Sequence, residues 1–173
     1  LNQRIIVRIA ARPDLDAIAR LWLGLVDYHQ QLDPRLPPAA PDGARRYAAR
    51  IEDRLDDSSM RVLVAERDGR IVGYVLAMVV DLMSDLFVHE TCGFVADIYV
   101  ASEARRDGVG RALVDQLLLW FYDQGIEYYE WHVAAHNRAG QAFWQAVGGQ
   151  PVLIRMRSGV SSAPSDDVNQ ELS

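Results

Sequence analysis

Two glycines, Gly108 and Gly110, and three arginines, Arg105, Arg106 and Arg111, fall within one short stretch of the chain. That grouping suits an anion. Glycines at these positions, separated only by Val109 and preceded by Asp107, clear side chains from the turn so that successive backbone N–H groups can converge on one ligand. Guanidinium groups match the geometry of phosphate oxygens. The surrounding segment, DIYVASEARRDGVGRALVDQLL from Asp97 to Leu118, reads as a strand, a polar connection, the turn and a long amphipathic helix. The N-terminus of that helix adds partial positive charge to the same spot. Two phosphate motifs fail on spacing: GxxxxGK[ST] needs a lysine, which the chain lacks, and Gly108-Val109-Gly110 is followed by Arg111, Ala112 and Leu113 rather than completing GxGxxG. A plainer alternative stays open, in which Gly108 ends a loop and Gly110 only lets the helix pack closely.

Arg105-Arg106-Asp107-Gly108-Val109-Gly110 resembles the R/QxxGxG/A signature of the GNAT superfamily of N-acetyltransferases, with a strand ending in Ile98, Tyr99 and Val100 ahead of it. Downstream, Asn137, Ala139, Phe143, Trp144 and Gly148 are similar to that family's N..A...FY...GF segment. The likeness extends through 4–157. It implies an α/β (α+β mixed) fold, a GNAT-like twisted mixed β-sheet of six to seven strands with helices on both faces and splayed central strands at 94–100 and 127–133. It implies acetyl-CoA as cosubstrate. By the same likeness, the backbone at Ile98 and Val100 would pair with the pantetheine as an added strand, and the amides from Arg106 to Arg111 would meet the pyrophosphate. Asn137 would bond the pantetheine arm, and the helix carrying Trp144 would lie along it. Two positions depart from the family pattern. Trp144 stands where a tyrosine often protonates the departing sulfur, and an indole N–H donates without being a usable acid. A thiol leaves with a pKa of roughly 8 to 9, so water or a backbone donor suffices. Gly149 replaces an aromatic.

Transfer to an amine requires a group to take its proton. Asp97, on the strand carrying the cofactor contacts, is the first candidate base; Glu90 and Glu130 follow, and a solvated or ion-paired role stays open for each. The likeness also implies that the end of the first helix forms one wall of the acceptor site, which makes His29 and Tyr28 candidates there, although His29 also continues an apolar stripe. His132 and His136 are separated by a strand-to-helix break, and HExxH is not completed after His89 and Glu90, so no metal site is expected. Cys92, the single cysteine, has no evident partner histidine and reads as a buried filler.

The elements that must position these residues follow from periodicity. RIIVRIA at 4–10 reads as a strand, and Pro13 with Asp14 opens a helix carrying Leu15, Ile18, Trp22, Leu25, Val26 and His29 on one face. Leu32 to Pro41 holds four of seven prolines and reads as a loop. A second helix is predicted over 43–56, with a stripe of Tyr47, Ile51 and Leu55. MRVLVAE and RIVGYVLAMVVD flank Asp68-Gly69, a hairpin turn. Strands are predicted over 94–100 and 127–133, helices over 108–124 and after Asn137, and a last strand over PVLIRMR at 151–157. Alternation places Tyr129 and Trp131 on one strand face and Tyr128, Glu130 and His132 on the other.

Composition narrows the function. Of 173 residues, 24 are acidic and 18 basic, all of the latter arginine, for a net charge of -6. That excludes a general nucleic-acid binder and a polybasic membrane-surface protein. Half of the residues are hydrophobic, enough for one sizeable core. One domain is expected over 1–157, followed by an acidic, disordered tail over 158–173. The longest apolar run, at 71–80, is too short to span a bilayer, and a lone cysteine suits a reducing, cytoplasmic setting. These readings converge on an acetyl-CoA-dependent N-acetyltransferase acting by direct attack of a primary amine, with a small amine or amino-acid-like acceptor. A non-catalytic acyl-CoA-binding or sensing module and a protein N-terminal or lysine acetyltransferase stay open. The exposed aromatics are compatible with an acceptor pocket or a homodimer contact.

Overall fold

A computed structural model of the chain describes residues 4–81 and 91–160. Strand β1 (Ile5–Ile9) leads through a single 3-10 turn into helix α1 (Leu15–Leu32). Helix α2 (Gly43–Glu52), strands β2 (Met60–Arg67), β3 (Arg70–Asp81) and β4 (Thr91–Val100), helix α3 (Val109–Asp123), strand β5 (Tyr129–Trp131) and helix α4 (Arg138–Ala146) complete the order. The strands form one sheet in the order β1-β2-β3-β4-β5, antiparallel except for the parallel β4–β5 pair.

The first connection is fixed by charge. Asp14, 6% exposed, accepts two bonds from Arg8 at 2.6 and 2.9 Å and one from the Ala11 N–H at 2.8 Å. Arg8 also reaches Glu66 on β2, so β1, β2 and the start of α1 share one ion-pair network. The Arg8 hydrogen bonds hold the Asp14 carboxyl below the usual carboxylate range. At the β2–β3 turn, Asp68 and Gly69 both have positive φ, 52° and 73°, the geometry of a two-residue turn that matches strand twist.

Alternation along the strands divides the apolar residues between two cores. Val62, Val64, Tyr74 and Leu76 pack with Ile18 of α1 and Ile51 of α2. Leu63, Ala65, Val75 and Ala77 point the other way and pack with Leu113, Val114, Leu117 and Phe121 of α3. Helices therefore cover both faces. No helix among the described residues is long and apolar enough to cross a membrane.

The described residues form five strands, which bears out the mixed sheet but not the expected count of six to seven. PVLIRMR, expected as a strand, is in no sheet, and its side chains are exposed. Strand propensity alone makes no strand without a neighbour to bond. Most of the tail expected to be disordered lies outside the described residues, as does Glu90.

Candidate functional site

Strands β4 and β5 pair over three positions only, Gly93 with Tyr129, Phe94 with Glu130 and Val95 with Trp131. Beyond Val95, β4 continues to Val100 bonded to β3 alone. The sheet thus opens between the two strands, and the β4 backbone from 96 to 100 has a free edge on that side. Both 94–100 and 127–133, expected to splay, contribute to this opening, although regular pairing in the second stops at Trp131.

A β-bulge aims the side chains of this length. Leu76 lies opposite Asp97 and Ala77 opposite Val95, which leaves Ala96 as the extra residue. Simple alternation from Val95 would send Asp97 into the α3 core. The bulge instead sends Val95, Ile98 and Val100 to that core and Ala96 and Tyr99 to the α1–α2 face, where Asp97 meets Tyr47. The Tyr47 hydroxyl donates to Asp97 Oδ2 at 2.8 Å and lies 3.3 Å from the Tyr74 hydroxyl. Burial pushes the Asp97 carboxyl up, opposed by the Tyr47 bond and by the charge of His29. Burial pushes His29 down, opposed by Asp97. Burial also raises both tyrosines, so Tyr47 and Tyr74 stay protonated donors. Trp22 stacks on Tyr47 with ring centroids 5.0 Å apart.

Tyr28 reaches across the opening. Its hydroxyl donates to Asn137 Oδ1 at 3.3 Å, and the Arg105 guanidinium sits 4.6 Å above its ring and 5.3 Å from that of Tyr99. Arg105 Nε donates to the Val100 carbonyl at 3.0 Å. Gly24 of α1 allows the same closure, because a Cβ there would stand 2.9 Å from the Tyr99 hydroxyl.

The glycine turn forms, with its arginines unequally committed. Gly108 has φ +83° with open space around it, and α3 starts at Val109. The first bond of the helix runs from the Ala112 N–H to the Gly108 carbonyl at 2.9 Å, so the amides of Val109, Gly110 and Arg111 precede any intrahelical partner. Gly110 serves packing, since a Cβ would meet the Phe143 ring at 3.3 Å. Asp107 is held by Arg67 at 2.7 Å and Arg111 by Asp115 at 2.8 Å. Arg106 is exposed, has φ +67° and has no ion-pair partner among the described residues. Free amides at a helix N-terminus, open space over Gly108 and an uncommitted guanidinium are what a pyrophosphate requires.

The remaining expected residues are placed as follows. Asn137 caps α4, its Oδ1 accepting the Gly140 N–H at 2.9 Å. Trp144 is 6% exposed and stacks on Trp131 with centroids 4.2 Å apart, so its ring belongs to the core. Glu130 is partly buried on the strand face away from those rings. No group of three or more His, Cys, Asp or Glu among the described residues is placed to hold a metal ion. Sequence reasoning missed Tyr47 as the partner of Asp97. The available signal was a tyrosine within an apolar stripe, since a buried hydroxyl needs a partner.

A sequence profile of the acetyltransferase (GNAT) family matches residues 25–148, a span that includes the opened strands, the glycine turn and the Asn137 cap. The chain belongs to the GNAT acetyltransferase family. Its fold is that of several solved structures. A mutant of the BH1408 protein of Bacillus halodurans is 19% identical, with a TM-score of 0.77, and the match covers 90% of this GNAT chain and 99% of that one. The aminoglycoside N-acetyltransferase AAC(6')-Iy in complex with CoA is 19% identical over 90% and 97% of the two chains, with a TM-score of 0.66. An aminoglycoside acetyltransferase from an uncultured soil metagenomic sample is 14% identical over 91% and 97%, with a TM-score of 0.64. No curated protein matches the chain.

Proposed function

We propose that the protein transfers an acetyl group from acetyl-CoA to the amine of a small, cationic acceptor, with Asp97 as the base. The observation that carries this reading is the half-buried carboxylate of Asp97 on the unpaired length of β4, with its pKa raised, beside the glycine turn. Acetyl-CoA supplies an acetyl group activated as a thioester, with a thiol as leaving group. The chain's residues do the rest. The amides of Val109, Gly110 and Arg111, with Arg106, hold the pyrophosphate, while the free edge of β4 at Ile98 and Val100 and the Asn137 side chain bind the pantetheine arm.

The acceptor approaches from the α1–α2 face, where Asp97 bonds Tyr47 and shares its strand face with Tyr99. A carboxylate among aromatic rings attracts an ammonium group. The raised pKa of Asp97 makes it a stronger base than an exposed aspartate, able to take the proton that an attacking amine must lose. Tyr47 keeps its carboxylate oriented. Burial lowers the His29 pKa and so favours its neutral form, which is suited to accepting a hydrogen bond from the acceptor. Aminoglycoside acetyltransferases among the structural neighbours support a small polyamine-like acceptor.

The test is product identity. With labelled acetyl-CoA and an amine panel added to cell extract, mass spectrometry should show the label on a small amine. Label on protein would favour the protein-acetylating reading. No label transfer, with CoA bound tightly, would favour the sensing module, for which the core placement of Trp144 is the support.

A further inference from the structure

The direction of the Asn137 amide is fixed by its neighbours. Its Oδ1 accepts the Gly140 N–H at 2.9 Å and the Tyr28 hydroxyl at 3.3 Å. A backbone N–H can only donate, so the amide oxygen, and not the amide nitrogen, must face it. Those two bonds use the acceptor capacity of the oxygen. The Nδ2 group keeps its N–H donors, because no acceptor among the described residues bonds it. Gly140 leaves room for that group, since a Cβ there would stand 2.6 Å from Nδ2. Asn137 therefore offers a ligand donors and no acceptor.

Tyr28 is itself held from the far side of the opening. The Arg105 guanidinium lies 4.6 Å from the centre of its ring, within cation–π range, and Arg105 Nε is anchored on the Val100 carbonyl at 3.0 Å. A continuous chain of contacts thus runs from the end of β4 through Arg105 and Tyr28 to the N-cap of α4. It spans the gap where β4 has parted from β5. One residue before Asn137, His136 Nδ1 lies 3.4 Å from Asp33 Oδ2, so the end of α1 and the loop after it meet this stretch at two points.

We infer that Tyr28 is a positioning residue for the cofactor: its hydroxyl, bonded to Asn137 Oδ1, holds the Asn137 amide so that its N–H donors meet a carbonyl of the pantetheine arm. The arm carries amide carbonyls and amide N–H groups, and only a carbonyl matches a partner that can do nothing but donate. Tyr28 touches no reacting atom and acts through Asn137. The inference rests on the proposed placement of the arm, and it gives Tyr28, a candidate for the acceptor wall, a task on the cofactor side.

Calorimetric titration of the full chain with CoA and with ADP, which has the diphosphate but no pantetheine, tests it. Tyr28→Phe removes the hydroxyl and keeps the ring against Arg105. The CoA dissociation constant should rise about 3- to 10-fold, as expected for one neutral hydrogen bond, while that of ADP stays unchanged. Asn137→Asp keeps a capping oxygen and loses the donors, so in that background Tyr28→Phe should add no further loss. Unchanged CoA affinity in Tyr28→Phe, an equal loss for ADP, or the same loss repeated in the Asn137→Asp background would overturn the inference and leave the proposed cofactor site standing. A wild type that binds CoA no better than ADP would overturn the placement of the arm, and the inference with it.

Discussion

Burial of Asp97 opposes its ionisation, and the bond from Tyr47 favours it. The two effects have opposite signs, which makes their balance measurable. A base must be charged to work, so activity is present above the folded pKa of Asp97 and lost as pH falls through it. Tyr47→Phe removes the favourable bond and leaves the burial, so the acid limb of the kcat/KM profile should move to higher pH, by about one pH unit for a hydrogen bond to a charged group. An unmoved limb would mean that another group titrates there. At this scale the sequence was partly legible. Asp97 could be singled out by its place before the turn, but Tyr47 could not be matched to it, because 50 residues separate them and only the packing of α2 on the sheet brings them together. The same holds for Tyr28 and Asn137, and for Arg105, which read as a phosphate ligand and is held between two tyrosine rings.

The strand, turn and helix proposed to carry the cofactor contacts were legible because their signals are local: apolar alternation, two glycines and a helical period. The β4 bulge was not, because an extra residue leaves no mark on composition; yet it decides that Asp97 faces α1 and α2 rather than α3. In the turn, Arg106 is held at φ +67°, a conformation that costs a non-glycine residue about 1–2 kcal/mol. Strain of this kind persists where surrounding structure demands it. Arg106→Gly relieves the strain while loosening the unfolded chain, so stability should stay within about 1 kcal/mol of wild type. CoA affinity, lacking one charge-assisted bond, should fall roughly ten- to a hundredfold. Calorimetric titration with CoA beside urea unfolding separates the two effects. Equal affinity would show that Arg106 does not meet the phosphates.

Over the whole molecule, a net charge of -6 argues against a polyanionic partner and masks the local grouping of arginines and glycines proposed to meet a pyrophosphate, because charge acts over a few ångströms at a turn and not as a sum. The absence of lysine has a consequence at the same scale: any acetyl-lysine the protein makes belongs to another molecule. The order of helices and strands was readable almost to the end of the chain. It failed at PVLIRMR, where a strand needs a neighbour that the described residues do not supply. The account as a whole stands on amine-dependent acetyl transfer with Asp97 as the base, and the direct measurement is release of the CoA thiol from acetyl-CoA, with and without amines, by the wild type and Asp97→Asn. The account predicts release that depends on a small cationic amine and that falls about 10²–10⁴-fold in the variant while CoA binding persists; no amine-dependent release from a wild type that binds CoA, or full activity in Asp97→Asn, would contradict it.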